Sequence, residues 1–214
     1  MRVLIIDNYD SFTFNLYQYV GEILSQQEAK SDILVIRNDE KSLEEIKAWA
    51  PDRIIISPGP GTPEDENYFG VCRDVILQLG PTTPLMGVCL GMQGIAYCFG
   101  GTISRAEIPM HGKASSIAHD GAGVFHQLPQ GIEVMRYHSL VADQDQLPEC
   151  LSITSVVVDS DQPGQLNLDQ EAAQGAEIMG IRHKEFPIQG IQFHPESFAT
   201  EGAKELIGNF IFQR

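Results

Sequence analysis

Two short stretches of this sequence carry residue types that could make and break a bond. The first is Gly87-Val88-Cys89-Leu90-Gly91, a cysteine between glycines where an apolar run gives way to a helical pattern. A strand-to-helix turn of this kind is a nucleophile elbow with sulfur in place of a serine oxygen, and its glycines allow the turn to be sharp. The second stretch is His194-Pro195-Glu196. At the end of a strand, residues two apart leave the same face, and Pro195 stops the pairing. Cys89, His194 and Glu196 would therefore supply nucleophile, base and orienting carboxylate. Cys89 would also open a helix, whose dipole and free N–H groups favour a thiolate. Cys72, Cys98 and Cys150 lack that setting and read as structural. His138, in Arg136-Tyr137-His138-Ser139-Leu140, is a rival base. The histidines show no zinc-like spacing, so no metal site is expected.

Two further features suit the attack of a thiolate on an amide. Ser57-Pro58-Gly59-Pro60-Gly61 follows an apolar run directly and lacks the lysine of a phosphate-binding loop. It reads either as a plain turn or as a loop aiming a backbone N–H at the cysteine. With the Leu90 N–H, that would make two donors for the oxyanion. Gln93 lies one helical turn after Cys89, either as a solvated helix residue or as a polar contact to substrate.

The elements that must position these residues are legible in the first hundred residues. Apolar runs at Val3–Ile6, Ile33–Ile36, Arg53–Ser57 and Leu85–Val88 suit parallel strands covered on both faces. Helical spacing follows each of them. Ser11 is placed to cap the first helix, Ser42-Leu43-Glu44-Glu45 reads as a capping box for the second, and a third spans roughly Tyr68–Leu79. Met92, Ile95, Ala96 and Phe99 form a stripe on the helix after the elbow, ended by Gly100-Gly101. This is a doubly wound α/β start. Strands are expected around Thr102–Ser104, Ser115–Ile117, Glu133–Tyr137, Leu151–Val158, Ile178–His183 and Gln189–Phe193, in a partly antiparallel region. Asp159–Glu177 is acidic and reads as an exposed loop or a long hairpin end, and Thr200 is placed to cap a last helix.

The chain of 214 residues has a net charge of −15 and a pI near 4.6. Such a surface repels phosphate backbones and anionic membranes, so nucleic acid and membrane are not expected partners. Val75–Ser104 carries no charge, yet its prolines and glycines make it a helix end, a buried strand and a packed helix rather than a membrane span. No C-x-x-C pair occurs, and the first residues already read as a strand, so a cytoplasmic protein is expected.

Asp7-Asn8-Tyr9-Asp10-Ser11-Phe12-Thr13, Ser57–Gly61, Gly87–Gly91, His111-Gly112-Lys113, Arg136–Leu140 and Gln192-Phe193-His194-Pro195-Glu196-Ser197 complete the set. Together they resemble the class I, triad-type glutamine amidotransferases nearly end to end. Within that class the resemblance is to the chorismate-using branch, component II of anthranilate synthase and of aminodeoxychorismate synthase. It implies one glutamine amidotransferase domain over residues 1–214, with a mixed, mostly parallel sheet, flanking helices and a nucleophile elbow. It also implies that Cys89 attacks the side-chain amide of L-glutamine, releasing ammonia and leaving a γ-glutamyl thioester for hydrolysis. His194 would act as base and then acid, with Glu196 orienting it. Gly59 and Leu90 would form the oxyanion hole, and Gly59, Pro60, Gly61, Gln93, Ser139 and Leu140 would hold glutamine. His138 then becomes a supporting residue. The resemblance implies no cofactor in this chain, with magnesium only in its partner, a chorismate-using synthase component I that receives the ammonia in a hetero-oligomer. His111-Gly112-Lys113 would lie near that partner. Met92 and Gly94 stand where many members of the branch have His and Ala, and segment 159–177 is longer than the usual connection. Anthranilate synthesis for tryptophan is the expected role. The alternatives are aminodeoxychorismate synthesis for folate, a subunit shared by both, a stand-alone γ-glutamyl cysteine hydrolase, or a silent docking module.

Overall fold

The apolar runs near the N-terminus become strands because alternate side chains find a dry core on each face of one sheet. The computed structural model describes residues 1–26, 30–158 and 167–212. In β1 (Arg2–Asp7), Leu4 and Ile6 enter one core while Val3 and Ile5 enter the other, all fully buried. Then follow α1 (Thr13–Ser25), β2 (Asp32–Arg37), α2 (Leu43–Trp49), β3 (Arg53–Ile56), α3 (Glu66–Phe69), α4 (Cys72–Gln78), β4 (Leu85–Val88) and α5 (Leu90–Cys98). The second half supplies β5 (Ile103–Arg105), β6 (Lys113–His119), β7 (Ile132–Arg136), β8 (Leu140–Ala142) and β9 (Leu151–Val157). It ends with α6 (Leu168–Ala173), β10 (Ile178–His183), β11 (Ile188–Ile191) and α7 (Ala203–Phe212).

Among the described residues, nine strands form one sheet in the order β2-β1-β3-β4-β11-β10-β9-β6-β7. Neighbours from β2 to β11 run parallel, and those from β11 to β7 antiparallel. Helices α1 and α7 pack on one face, and α2, α4, α5 and α6 on the other. The decisive pairing is β4 with β11, in which Val88 is opposite Ile191. It sets the residues that follow the two strands side by side at the carboxyl edge of the sheet, where open α/β sheets place their sites.

Four expectations need correction. Ser11 does not cap α1; Phe12 holds the N-cap position without a side-chain bond, and Thr13 Oγ1 donates to Asp7 Oδ1 (2.8 Å) instead. The third helix is broken at Gly70 (φ 45°), where a Cβ would stand 2.3 Å from the Asn38 carbonyl oxygen, so α3 and α4 are separate. Thr200 caps nothing, because its hydroxyl donates to the His194 carbonyl (2.6 Å) and accepts from Met135 N–H (3.1 Å). The acidic segment is not all loop. Residues 159–166 lie outside the described residues, but Asn167 accepts from Gln170 N–H to cap α6, and Ala172 of that helix is fully buried. The Ser42–Glu45 capping box forms as expected.

Candidate active site

Cys89 sits between β4 and α5 with φ 51° and ψ −102°, a conformation that costs a non-glycine residue free energy and marks a functional turn. The flanking glycines explain how the turn closes. A Cβ on Gly87 would lie 2.4 Å from the backbone of Gly91, and one on Gly91 would lie 2.6 Å from the Ile56 carbonyl. Cys89 N–H continues the ladder to Ile191 O (2.8 Å), and the Cys89 carbonyl accepts from Gln93 N–H (3.0 Å). Cys89 therefore stands at the N-cap of α5, the end at which a helix leaves backbone N–H groups without intrahelical partners. Cys72 and Cys98 are different. Burial pushes the Cys72 thiol far up and that of Cys98 to about 12, so both stay protonated at neutral pH.

His194 and Glu196 are both buried, 4% and 2% exposed. His194 Nδ1 meets Glu196 Oε1 at 2.5 Å. His194 N–H donates to Met135 O (2.9 Å), and the Tyr137 ring packs edge-on against the imidazole, 5.1 Å between centroids. Burial opposes a charge on His194. The Cys89 sulfur and the Glu196 carboxylate outweigh it and hold the imidazole well above its ordinary pKa.

The Ser57–Gly61 loop is fastened from below by buried amides. Asn8 N–H donates to Ser57 Oγ (2.9 Å), Asn8 Nδ2 to Ser57 O (2.9 Å), and Asn38 Nδ2 to Asn8 Oδ1 (2.9 Å). Gly59 has no room for a side chain. A Cβ there would lie 2.5 Å from Asn8 Cβ and 3.0 Å from the Leu90 side chain. Gly59 is thereby held against the start of α5, and Pro60 and Gly61 continue the loop to its contact with the Tyr68 ring.

Gln93 is not a solvated helix residue. It is 3% exposed, and its Nε2 donates to Leu140 O (2.9 Å) and Gln192 Oε1 (3.1 Å). Leu140 belongs to β8, a strand that the sequence reading missed, which pairs with β5, the strand expected around Thr102–Ser104, while Ser139 is exposed and accepts from Ala106 N–H (2.9 Å). His138 belongs to another cluster. Buried Arg136 pairs with Glu177 (2.5 Å) and donates from Nε to His138 Nε2 (3.3 Å), and Glu177 Oε1 lies 3.2 Å from that nitrogen. Burial first, then the charges of Arg136 and His194, push His138 down to about 3, so it stays neutral where a base for Cys89 would have to take a proton.

Sequence reasoning gave no role to Gln192, Glu177, Asn8 or Asn38. For Gln192 a signal existed: it precedes His194 by two residues, the spacing that puts His194 and Glu196 together. Its Nε2 lies 3.4 Å from Cys89 Sγ. Among the described residues, no cluster of three or more histidine, cysteine or carboxylate side chains could hold a metal ion, and no helix is long and apolar enough to cross a membrane.

A thiol on a strained elbow, an imidazole 2.5 Å from a carboxylate and a glycine loop against the elbow helix stand at one edge of an α/β sheet. Residues 4–214 match the family described as glutamine amidotransferase class I, and the chain belongs to that family. It is closely related to component II of anthranilate synthase and of aminodeoxychorismate synthase. It is 57% identical over 211 residues to anthranilate synthase component 2 of Leptospira biflexa, with 99% of each chain covered. It is 44% identical over 209 residues to aminodeoxychorismate synthase component 2 of Escherichia coli, with 98% of each covered. The fold also matches a solved glutamine amidotransferase of Thermotoga maritima (TM-score 0.66, 17% identity, 100% of this chain and 82% of that one).

Proposed function

We propose that this chain is the glutaminase subunit of a chorismate-aminating synthase, with Cys89, His194 and Glu196 as its catalytic residues. The carrying observation is a cysteine on a strained elbow after β4, with an imidazole that follows the paired strand β11 and lies 2.5 Å from a buried carboxylate. The Cys89 thiolate attacks the side-chain carbonyl carbon of L-glutamine, and the oxyanion is held by the N–H groups of Gly59 and Leu90. Protonated His194 gives its proton to the departing nitrogen, and ammonia leaves a γ-glutamyl thioester. Neutral His194 then takes a proton from water as the water attacks. Collapse of the second oxyanion expels the Cys89 thiolate and yields glutamate. Glu196 keeps the imidazole oriented and stabilises its charged form. Gln93, Ser139, Leu140 and the Gly59–Gly61 backbone hold the substrate. The chain needs no cofactor of its own for these steps, and magnesium belongs to the partner.

A synthase component I that aminates chorismate receives the ammonia, and anthranilate for tryptophan is the favoured product, with aminodeoxychorismate as the alternative. The surface beside the triad supports such docking. Tyr9, Phe12, Phe14 and Phe198 are exposed aromatics, Phe198 at 95%, and a cavity of about 310 Å³ lined by Phe12, Tyr137, Glu196 and Phe198 opens there. His111, part of the expected partner-facing run, packs edge-on against Tyr137. Four free cysteines support a reducing, cytoplasmic setting.

The test is chorismate amination with anthranilate-type and aminodeoxychorismate-type partners in parallel. With glutamine, product from one partner assigns the pathway, and product from both means a shared subunit. Cys89→Ala should abolish glutamine-dependent product while added ammonium still drives the partner. Glutamine-dependent activity surviving in Cys89→Ala would refute the assignment.

A further inference from the structure

Gln192 touches the sulfur that the proposed reaction uses. It is fully buried at the end of β11, and the pairing of Val88 with Ile191 sets it next to Cys89. The direction of its hydrogen bonds is dictated by its neighbours. A carbonyl can only accept, so the Gln93 amide must present Nε2 to Leu140 O, at 2.9 Å. The same Nε2 reaches Gln192 Oε1 at 3.1 Å. The Gln192 amide is thereby oriented with its oxygen toward Gln93 and its Nε2 toward Cys89 Sγ, 3.4 Å away. Turning it over would set donor against donor at Gln93 and leave its oxygen facing the sulfur.

We propose that Gln192 is a further catalytic residue, whose side-chain amide donates a hydrogen bond to the Cys89 sulfur and favours its thiolate. A donor that faces sulfur favours the charged form over both the thiol and the thioester. It therefore assists the nucleophile before attack and the leaving group when water opens the γ-glutamyl thioester. Leu140 carries the first carbonyl of this chain of bonds, so the segment that holds the substrate is tied to the reacting sulfur through two amides. The role rests on Cys89 being the nucleophile.

The experiment follows the pH dependence of Cys89 alkylation by iodoacetamide in the full chain, read by mass spectrometry at that residue. Gln192→Met removes the donor at similar volume, and Gln192→Glu keeps the shape while setting a carboxylate against the sulfur. The midpoint should rise by about one pH unit in Gln192→Met and further in Gln192→Glu, where like charges oppose the thiolate. Glutaminase kcat/KM should fall about tenfold, with the KM for glutamine held within about twofold. A merely structural strut would lower the melting temperature and leave the midpoint unmoved, and an unmoved midpoint in either folded variant overturns the proposal. Alkylation needs no glutamine turnover. A failure here is therefore distinct from a failure of the glutaminase reading, which Cys89→Ala tests separately.

Discussion

Gly94 lies on α5, five residues beyond Cys89, and its replacement by alanine sets two effects of opposite sign against each other. In an exposed helix the change would stabilise the chain by about 1 kcal/mol, because alanine loses less backbone entropy than glycine. Here the added Cβ would stand 1.9 Å from Phe69 Cζ, with the two neighbouring ring carbons at 2.6 and 2.8 Å. Phe69 is 1% exposed, packed in the core beneath α5. To reach an ordinary contact the ring must retreat by about 1.5 Å inside a close-packed interior, and overpacking of this kind costs about 1–3 kcal/mol. The clash wins, and Gly94→Ala should be destabilised by about 1 kcal/mol net, read as a lower urea midpoint with an unchanged slope. Activity should fall with it. α5 carries the elbow cysteine at its start, and Tyr68, next to Phe69, abuts Gly61 of the proposed oxyanion loop. Adding Phe69→Leu should relieve the clash, with a favourable coupling of about 0.5 kcal/mol or more in a double-mutant cycle. A raised urea midpoint in Gly94→Ala alone would mean that the ring yields freely, and the close seating of α5 on α3 would be refuted.

His138 is held neutral by burial, so its folded pKa of about 3 lies below the ordinary 6.5. The stability it contributes is present above pH 6.5 and lost as the pH falls toward 3, because the unfolded chain takes up the proton first. At pH 5 the loss should be about 2 kcal/mol, and His138→Gln should flatten that part of the pH–stability curve. An equal acid slope in the variant would contradict the buried neutral state. Glu177→Gln removes the counter-ion of Arg136, which is 2% exposed. It should cost about 2–3 kcal/mol in chemical denaturation and raise the KM for glutamine by loosening the Arg136–Leu140 segment. Phe198→Asp should weaken association with the synthase component in titration calorimetry while leaving Cys89 alkylation unaltered. Equal affinity would move the docking surface elsewhere.

The parts of this protein that were legible in its sequence are those whose causes are local. The Gly87–Gly91 elbow needs glycines within five consecutive residues, and His194 and Glu196 are close in sequence, although they meet in a turn after β11 and not on a strand as expected. Apolar runs announced the parallel strands, and Ser42 with Glu45 announced a cap that forms as expected. Where a side chain had a choice of partner, local pattern misled. Thr200 has the makings of a helix cap but bonds the His194 carbonyl, and the helix expected through Tyr68–Leu79 breaks because Gly70 passes over Asn38. Only the tertiary structure decided that β11 runs beside β4, which brings Cys89, Gln192 and His194 to one edge although they stand far apart in the chain. It also decided that Glu177, from the acidic segment, neutralises Arg136, and that Gln93 faces inward to Leu140 and Gln192. Partners of this kind are set by strand order and by what each buried polar group can reach once water is excluded. No stretch of consecutive residues contains that information.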